Sequence, residues 1–153
     1  MIQRIQTLYL LLAFILMGLM FFFPFAEILS SEGKLYTFEF DGLHYIYDAQ
    51  VYIQTIPTII LLSVILALNI VTIFLFKKRI LQMRFAFINI LLMLGFVGLI
   101  YYYVRTFSNE LQVEAITYKI FDVFPFLAVI FTYLAIRAVG RDEALVRSVD
   151  RIR

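Results

Sequence analysis

The side chains able to do chemistry are few and widely spaced. His44 is the single histidine and cysteine is absent, which removes disulfides, thiolate ligands, thiol redox chemistry and bis-histidine haem ligation together. His44 is expected opposite Glu39 on a short β-ribbon, wet on both sides, and one histidine with one carboxylate is too small a ligand set for a metal. Asp122 stands at the start of an apolar segment, with Lys119 one turn earlier. A carboxylate inside a membrane is a candidate proton carrier, but at a helix start the dipole favours the negative charge, and a capping role is expected. Asn69 and Asn89 are the most polar groups within the apolar segments. They lie ten residues either side of Arg79, so two antiparallel helices turning there bring them to one depth, and an interhelical hydrogen bond of about 0.6–2 kcal/mol is expected. No Gly-rich phosphate loop, shared carboxylate pocket or nucleophile elbow is present in the sequence. No catalytic residue, cofactor or metal ligand is therefore assigned.

These residues sit on a chain that is 63% hydrophobic and 16% charged, against about 45–50% and about 25% in soluble domains. Four apolar segments cover residues of about 7–26, 53–76, 85–104 and 120–139. Each is about 20 residues, or about 30 Å as a helix, the thickness of a bilayer's hydrocarbon core. Inside lipid a segment must satisfy its own backbone hydrogen bonds, so helices are expected. The predicted fold is an all-α membrane protein, a four-transmembrane-helix bundle forming one domain over 1–153. The first segment is expected to be retained: it is longer than a signal-peptide core, crowded with Phe21, Phe22, Phe23 and Phe25, and followed by no small-residue cleavage site. It also lacks the central carboxylate a small multidrug exporter needs.

Ten of the thirteen basic residues fall on one side of these segments: Arg4, Lys77, Lys78, Arg79, Arg84, Arg137, Arg141, Arg147, Arg151 and Arg153. The positive-inside rule places that side, and both termini, in the cytoplasm. Lys77, Lys78, Arg79 and Arg84 serve as a topology determinant and reach the lower limit for an anionic-lipid site. The tail, 140–153, repeats Leu145, Val149 and Ile152 at helical spacing. It is expected to continue the fourth helix into the cytoplasm and, with Arg147 and Arg151, to dock on a partner or the inner leaflet. Gly140 weakens that continuation by about 1 kcal/mol and is expected to mark a bend. Tyr101, Tyr102 and Tyr103 read as an interfacial belt.

The first outer loop carries a hairpin signal over 35–47. Asp41-Gly42 between alternating runs suits a two-residue turn, with Phe40 facing Leu43, Phe38 facing Tyr45 and Tyr36 facing Tyr47. These six side chains share one face. A lone hairpin is marginal in water, so its aromatic face is expected to rest on the helix ends or on lipid headgroups.

The two ends of the chain, Met1-Ile2-Gln3-Arg4-Ile5-Gln6-Thr7-Leu8-Tyr9-Leu10 and Asp142-Glu143-Ala144-Leu145-Val146-Arg147-Ser148-Val149-Asp150-Arg151-Ile152-Arg153, resemble those of an uncharacterised family of short four-span bacterial inner-membrane proteins. Gly140 departs from the family pattern, which has a basic residue there more often. The resemblance implies an inner-membrane location and supplies no reaction.

The expected role is a non-catalytic membrane subunit, scaffold or assembly factor of a larger bacterial inner-membrane complex, with the bilayer and a protein as partners and neither nucleic acid nor metal. A small oligomeric transporter or channel is the alternative, and it would have to use chiefly Asn69, Thr72 and Asn89. A lipid-directed enzyme would have only Asp122 and His44.

Overall fold

The structure is a computed structural model that describes residues 3–111 and 113–150. Four helices, α1 (Gln3–Leu19), α2 (Ile56–Phe74), α3 (Arg79–Glu110) and α4 (Phe124–Asp150), are joined to five strands, β1 (Ala26–Ser30), β2 (Leu35–Phe38), β3 (Gly42–Tyr45), β4 (Asp48–Gln54) and β5 (Val113–Tyr118). The helices pack in sequence order round a ring, α1 against α2 and α4, and α3 against α2 and α4. Three stretches, Ile56–Lys77, Arg79–Asn109 and Ile120–Ala144, are long and apolar enough to cross a membrane, and Ile5–Leu19 is a shorter apolar helix.

The helix limits differ from the hydropathy segments for local reasons. The first segment does not run helically to residue 26. After Leu19 the bonds tighten to three-residue spacing, Met20 N to Met17 O at 3.2 Å and Phe22 N to Leu19 O at 2.9 Å. Pro24 then blocks continuation, and the chain enters β1 at Ala26. The second segment gives residues 53–54 to β4, and α2 follows with Pro57 in its first turn, where a missing N–H removes nothing. α3 outruns its segment at both ends, with 32 residues, or about 48 Å. Residues 120–123 form a 3₁₀ turn ahead of α4. α4 continues as helix through Gly140 to Asp150, as the tail's spacing predicts.

Inside the ring the buried positions recur at alternating spacings of three and four: Thr58, Leu62, Ile65, Asn69 and Thr72 on α2, Gln6, Leu10, Ala13, Met17 and Met20 from α1 onward, and Gln82, Ala86, Asn89, Met93, Phe96 and Ile100 on α3. That is the seam of a left-handed supercoil. On α4 it is lined by Ala128, Ala135 and Ala138, small side chains that let helices approach closely. Gly95 and Gly98 lie off this seam, and a Cβ at either would meet nothing within 4 Å.

The strands form one antiparallel sheet in the order β4-β3-β2-β1-β5, across the ends of the helices opposite the α2–α3 turn. The expected lone hairpin is its middle. The Asp41-Gly42 turn is corrected: Tyr36 pairs with Tyr45, Thr37 with His44 and Phe38 with Leu43, a slip of two residues that leaves Glu39, Phe40 and Asp41 in the loop. Because the slip is even, the same side chains keep one face. Gly42 is needed for closeness rather than for a turn. It lies opposite Gln54, and a Cβ there would collide with the backbone oxygen of Ile53. Gly33, at φ +74°, takes the left-handed turn between β1 and β2.

Candidate functional site

At one end of the ring the start of α1, the end of α4 and the α2–α3 turn come together. Gln6 Nε2 donates to Asp142 Oδ2 at 2.6 Å across 136 residues of chain. Both side chains are buried, and the second Asp142 oxygen has no hydrogen-bond partner. Arg79 Nη1 lies 4.0 Å from Glu143 Oε2. That is a charge contact too long for a hydrogen bond, which leaves the buried Nη1 unpartnered. Lys77, Lys78, Arg79, Ile80, Leu81 and Glu143 line a cleft of about 410 Å³. Lys77 also lies 5.9 Å over the ring of Phe76. Arg84 is exposed on α3 beyond the cleft. The side chains of Leu145, Arg147 and Val149, and the whole of Arg151 and Ile152, fall outside the described residues.

Deeper in this half of the ring the inward seam is polar. Asn69 and Asn89 are both buried, but the expected bond between them is not made: neither Asn69 amide atom has a hydrogen-bond partner, nor does Asn89 Oδ1. Gln82 Nε2 instead reaches the Thr72 carbonyl at 3.2 Å, while its Oε1 is unpartnered. Thr72 and Thr132 turn their hydroxyls back to the carbonyls of Leu68 and Ala128, at 2.7 and 2.8 Å, which satisfies each within its own helix.

The sheet end is mainly aromatic by contrast, and it also keeps the buried side-chain oxygens of Thr55, Thr58 and Asp122 without hydrogen-bond partners. Phe38 packs edge-on against Phe25 and Phe107, each at 5.3 Å between ring centres, and Phe25 against Phe96 at 5.9 Å. Phe40 meets Phe21 at 5.0 Å, and Tyr36 meets Tyr45 at 5.5 Å. The aromatic face of the hairpin thus rests on the helix ends. Tyr47 is the exception: it lies beyond β3 and is 82% exposed. Tyr103 likewise leaves the expected belt to pack on Phe38 and Phe107, while Tyr101 and Tyr102 stay exposed.

The partner of His44 is Asp41, with Nε2 to Oδ1 at 2.8 Å, rather than Glu39. Glu39, Asp41 and His44 place one ligand atom each within 4.8 Å of the others, and all three are half-buried rather than wet. The Asp41 carbonyl also accepts the Thr55 N–H at 2.9 Å, so Asp41 ties the β2–β3 loop to the start of α2. Asp122 sits in the first turn of the 3₁₀ segment that leads into α4, with both oxygens buried and neither making a full hydrogen bond. Lys119, one turn earlier, pairs with Glu27 of β1 at 2.6 Å.

A family model described as a domain of unknown function (DUF4293) matches residues 2–152. The chain belongs to this family. No curated protein matches it. In this DUF4293 chain the two terminal stretches meet in space, through Gln6 and Asp142. Tyr9 of α1 and Phe131 of α4 stack at 6.3 Å along the same seam.

Sequence reasoning passed over Gln6, Gln82 and Asp142 of the DUF4293 chain, and with them the polar seam. The signal was available in their spacing. Gln82 and Asn89 are seven apart, and Asn69 and Thr72 three apart, the intervals of one helix face.

Proposed function

We propose that this chain is a non-catalytic integral membrane subunit, scaffold or assembly factor of a larger bacterial inner-membrane complex, with four spans and both termini in the cytoplasm. One observation carries the reading: the run of buried amides ends short of the sheet, where Phe25, Phe38, Phe96 and Phe107 fill the ring and the buried Thr55 and Thr58 offer hydroxyls alone. The aromatic side chains interrupt the run of amides within a single chain, and the described titratable groups fall into small clusters at opposite ends, Glu39, Asp41 and His44 by the sheet and Lys77, Lys78, Arg79 and Glu143 by the α2–α3 turn. The chain does offer surfaces. Phe22, Tyr47, Tyr52, Tyr118 and Ile120 are exposed around the sheet, and β4 and β5 leave their outer edges free within it. Both suit an interfacial, partner-facing platform.

At 17 residues, or about 25 Å, α1 is short for a span, and a bilayer adapts to such a mismatch at small cost. The basic residues support a cytoplasmic position for the α2–α3 turn.

Purification in mild detergent through an N-terminal tag tests the role, with a second protein expected at fixed stoichiometry. Recovery of the chain alone at every expression level overturns it. The absence of cysteine makes orientation directly measurable: Tyr47→Cys should react with an impermeant thiol reagent in intact spheroplasts, and Arg84→Cys only after permeabilisation. The reverse pattern inverts the topology.

A small transporter or channel stays as the second reading, favoured by the unpartnered Asn69 amide and the unpartnered Asn89 Oδ1. It requires a path between copies rather than within one, and solute flux into liposomes carrying the purified protein would establish it.

A further inference from the structure

We infer that the cleft at the α2–α3 turn is a binding site for an anionic phospholipid, whose phosphate is held by Lys77, Lys78 and Arg79. Four features converge there. The cleft, about 410 Å³, has three consecutive cations and two apolar side chains, Ile80 and Leu81, in its lining, which matches an amphipathic ligand with an anionic head. The two apolar stretches on either side end at Lys77 and begin at Arg79, so the cleft stands where apolar surface gives way to charge. Phe74, Phe76, Ile80 and Leu81 are exposed just beside it, as acyl chains would require. Finally, Arg79 keeps a buried Nη1 without a hydrogen bond, and among the described residues its nearest anion is Glu143 at 4.0 Å.

The start of α3 adds to this. The residue ahead of it, Lys78, makes no side-chain cap, and the first turn has no acidic residue, so its N–H groups and dipole favour an incoming anion. Glu143 works the other way, as a carboxylate in the same lining that competes for Arg79. The site is therefore one in which a phosphate displaces a weak internal ion pair.

The inference rests on the bilayer-embedded reading, and the two can fail separately. Flotation of the full chain with phosphatidylcholine vesicles tests embedding. Retention of tail-labelled phosphatidylglycerol over phosphatidylcholine, by the delipidated chain in neutral detergent, tests the site. Lys77→Gln with Lys78→Gln should weaken phosphatidylglycerol retention by about twenty-five-fold, at about fivefold per cation lost near a lipid phosphate, while flotation is unchanged. Arg137→Gln with Arg141→Gln removes the same charge from exposed positions of α4 outside the cleft and should leave retention as it is. Glu143→Gln should strengthen it. Equal loss in both double variants, no preference for phosphatidylglycerol, or full displacement by inorganic phosphate would overturn the proposal, the last by identifying a soluble anion as the ligand.

Discussion

The two halves of the helix ring are built on one inward seam and differ in what fills it, aromatic rings towards the sheet and amides among small apolar side chains towards the α2–α3 turn. Towards the sheet, the seam holds Phe96, Ile100, Val104 and Phe107 of α3, closed by Phe25 and Phe38. Towards the α2–α3 turn, the same spacing carries Gln6, Asn69, Thr72, Gln82, Asn89 and Asp142. Aromatic edge-to-face packing gains from burial and from ring geometry. A buried amide without a partner costs about 1–3 kcal/mol, and Asn69, Asn89 and Gln82 each keep at least one such atom. The sheet end is therefore the anchor of the fold. The other half is held by fewer and more specific contacts, chiefly Gln6 with Asp142 and Gln82 with Thr72. Rigidity and adaptability are divided along one bundle.

That contrast is broken most directly by Phe38→Ala. The side chain is fully buried between Phe25, Tyr103 and Phe107, and truncation should cost about 3–5 kcal/mol, read as a lowered unfolding midpoint in detergent. The sheet should loosen before the helices, so near-UV aromatic signal should fall with helical signal retained. A loss below 1 kcal/mol would mean that the aromatic cluster is not the anchor.

Much of this division could be read in the residues, and part of it could not. Three of the apolar segments were legible because an uncharged run of bilayer length finds its natural shelter in lipid. The first segment misled at its end, because Phe21, Phe22, Phe23 and Phe25 are as apolar as a helix interior but fold back into a sheet after Pro24. The hairpin's aromatic face was legible from its alternation. Its register was not, because the close approach of Gly42 to the Ile53 backbone depends on β4, a strand outside the hairpin signal. β5 shows no apolar–polar alternation in Val113, Glu114, Ala115 and Ile116, and it pairs with β1 across the whole of α2 and α3, which no local pattern specifies. In the polar half, a chain apolar on every face hides its seam from hydropathy, and only Gln6, Asn69, Gln82, Asn89 and Asp142 mark it. Asn69 and Asn89 were found as polar outliers. Their lack of a mutual bond depends on rotation about the helix axes, which composition does not encode.

Two substitutions sharpen the contrast from the polar side. Asp142→Ala leaves the buried Gln6 amide without its acceptor and should cost about 1–3 kcal/mol, whereas Asp142→Asn keeps an acceptor for Gln6 and should recover most of the loss in the same unfolding assay. Equal damage from both would show that the charge itself, rather than the hydrogen bond, joins α1 to α4. Asn69→Leu should act in the opposite sense to Phe38→Ala. Replacing an unpartnered, fully buried amide with an apolar side chain of similar size should be neutral or stabilising by about 1 kcal/mol. If Asn69→Leu instead destabilises by as much as Asp142→Ala, the amide holds a partner, and the transporter reading gains ground.

The smallest effect belongs to Lys119, at the border of the sheet. Its ammonium lies 2.6 Å from Glu27 with about a third of each side chain exposed. A pair so placed is screened, and Lys119→Gln should cost only about 0.2–1 kcal/mol, a deficit that vanishes in high salt. The measurement has a second use, because Asp122 lies one turn away with both oxygens buried and unpartnered. Salt reaches the Glu27 pair but not a carboxylate shielded from water. A deficit that persists undiminished in molar salt would therefore assign Lys119 to Asp122 in the membrane-embedded chain. It would also make that buried carboxylate, rather than the seam amides, the strongest polar constraint on the bundle, and the sheet end would lose its claim to be the dry half.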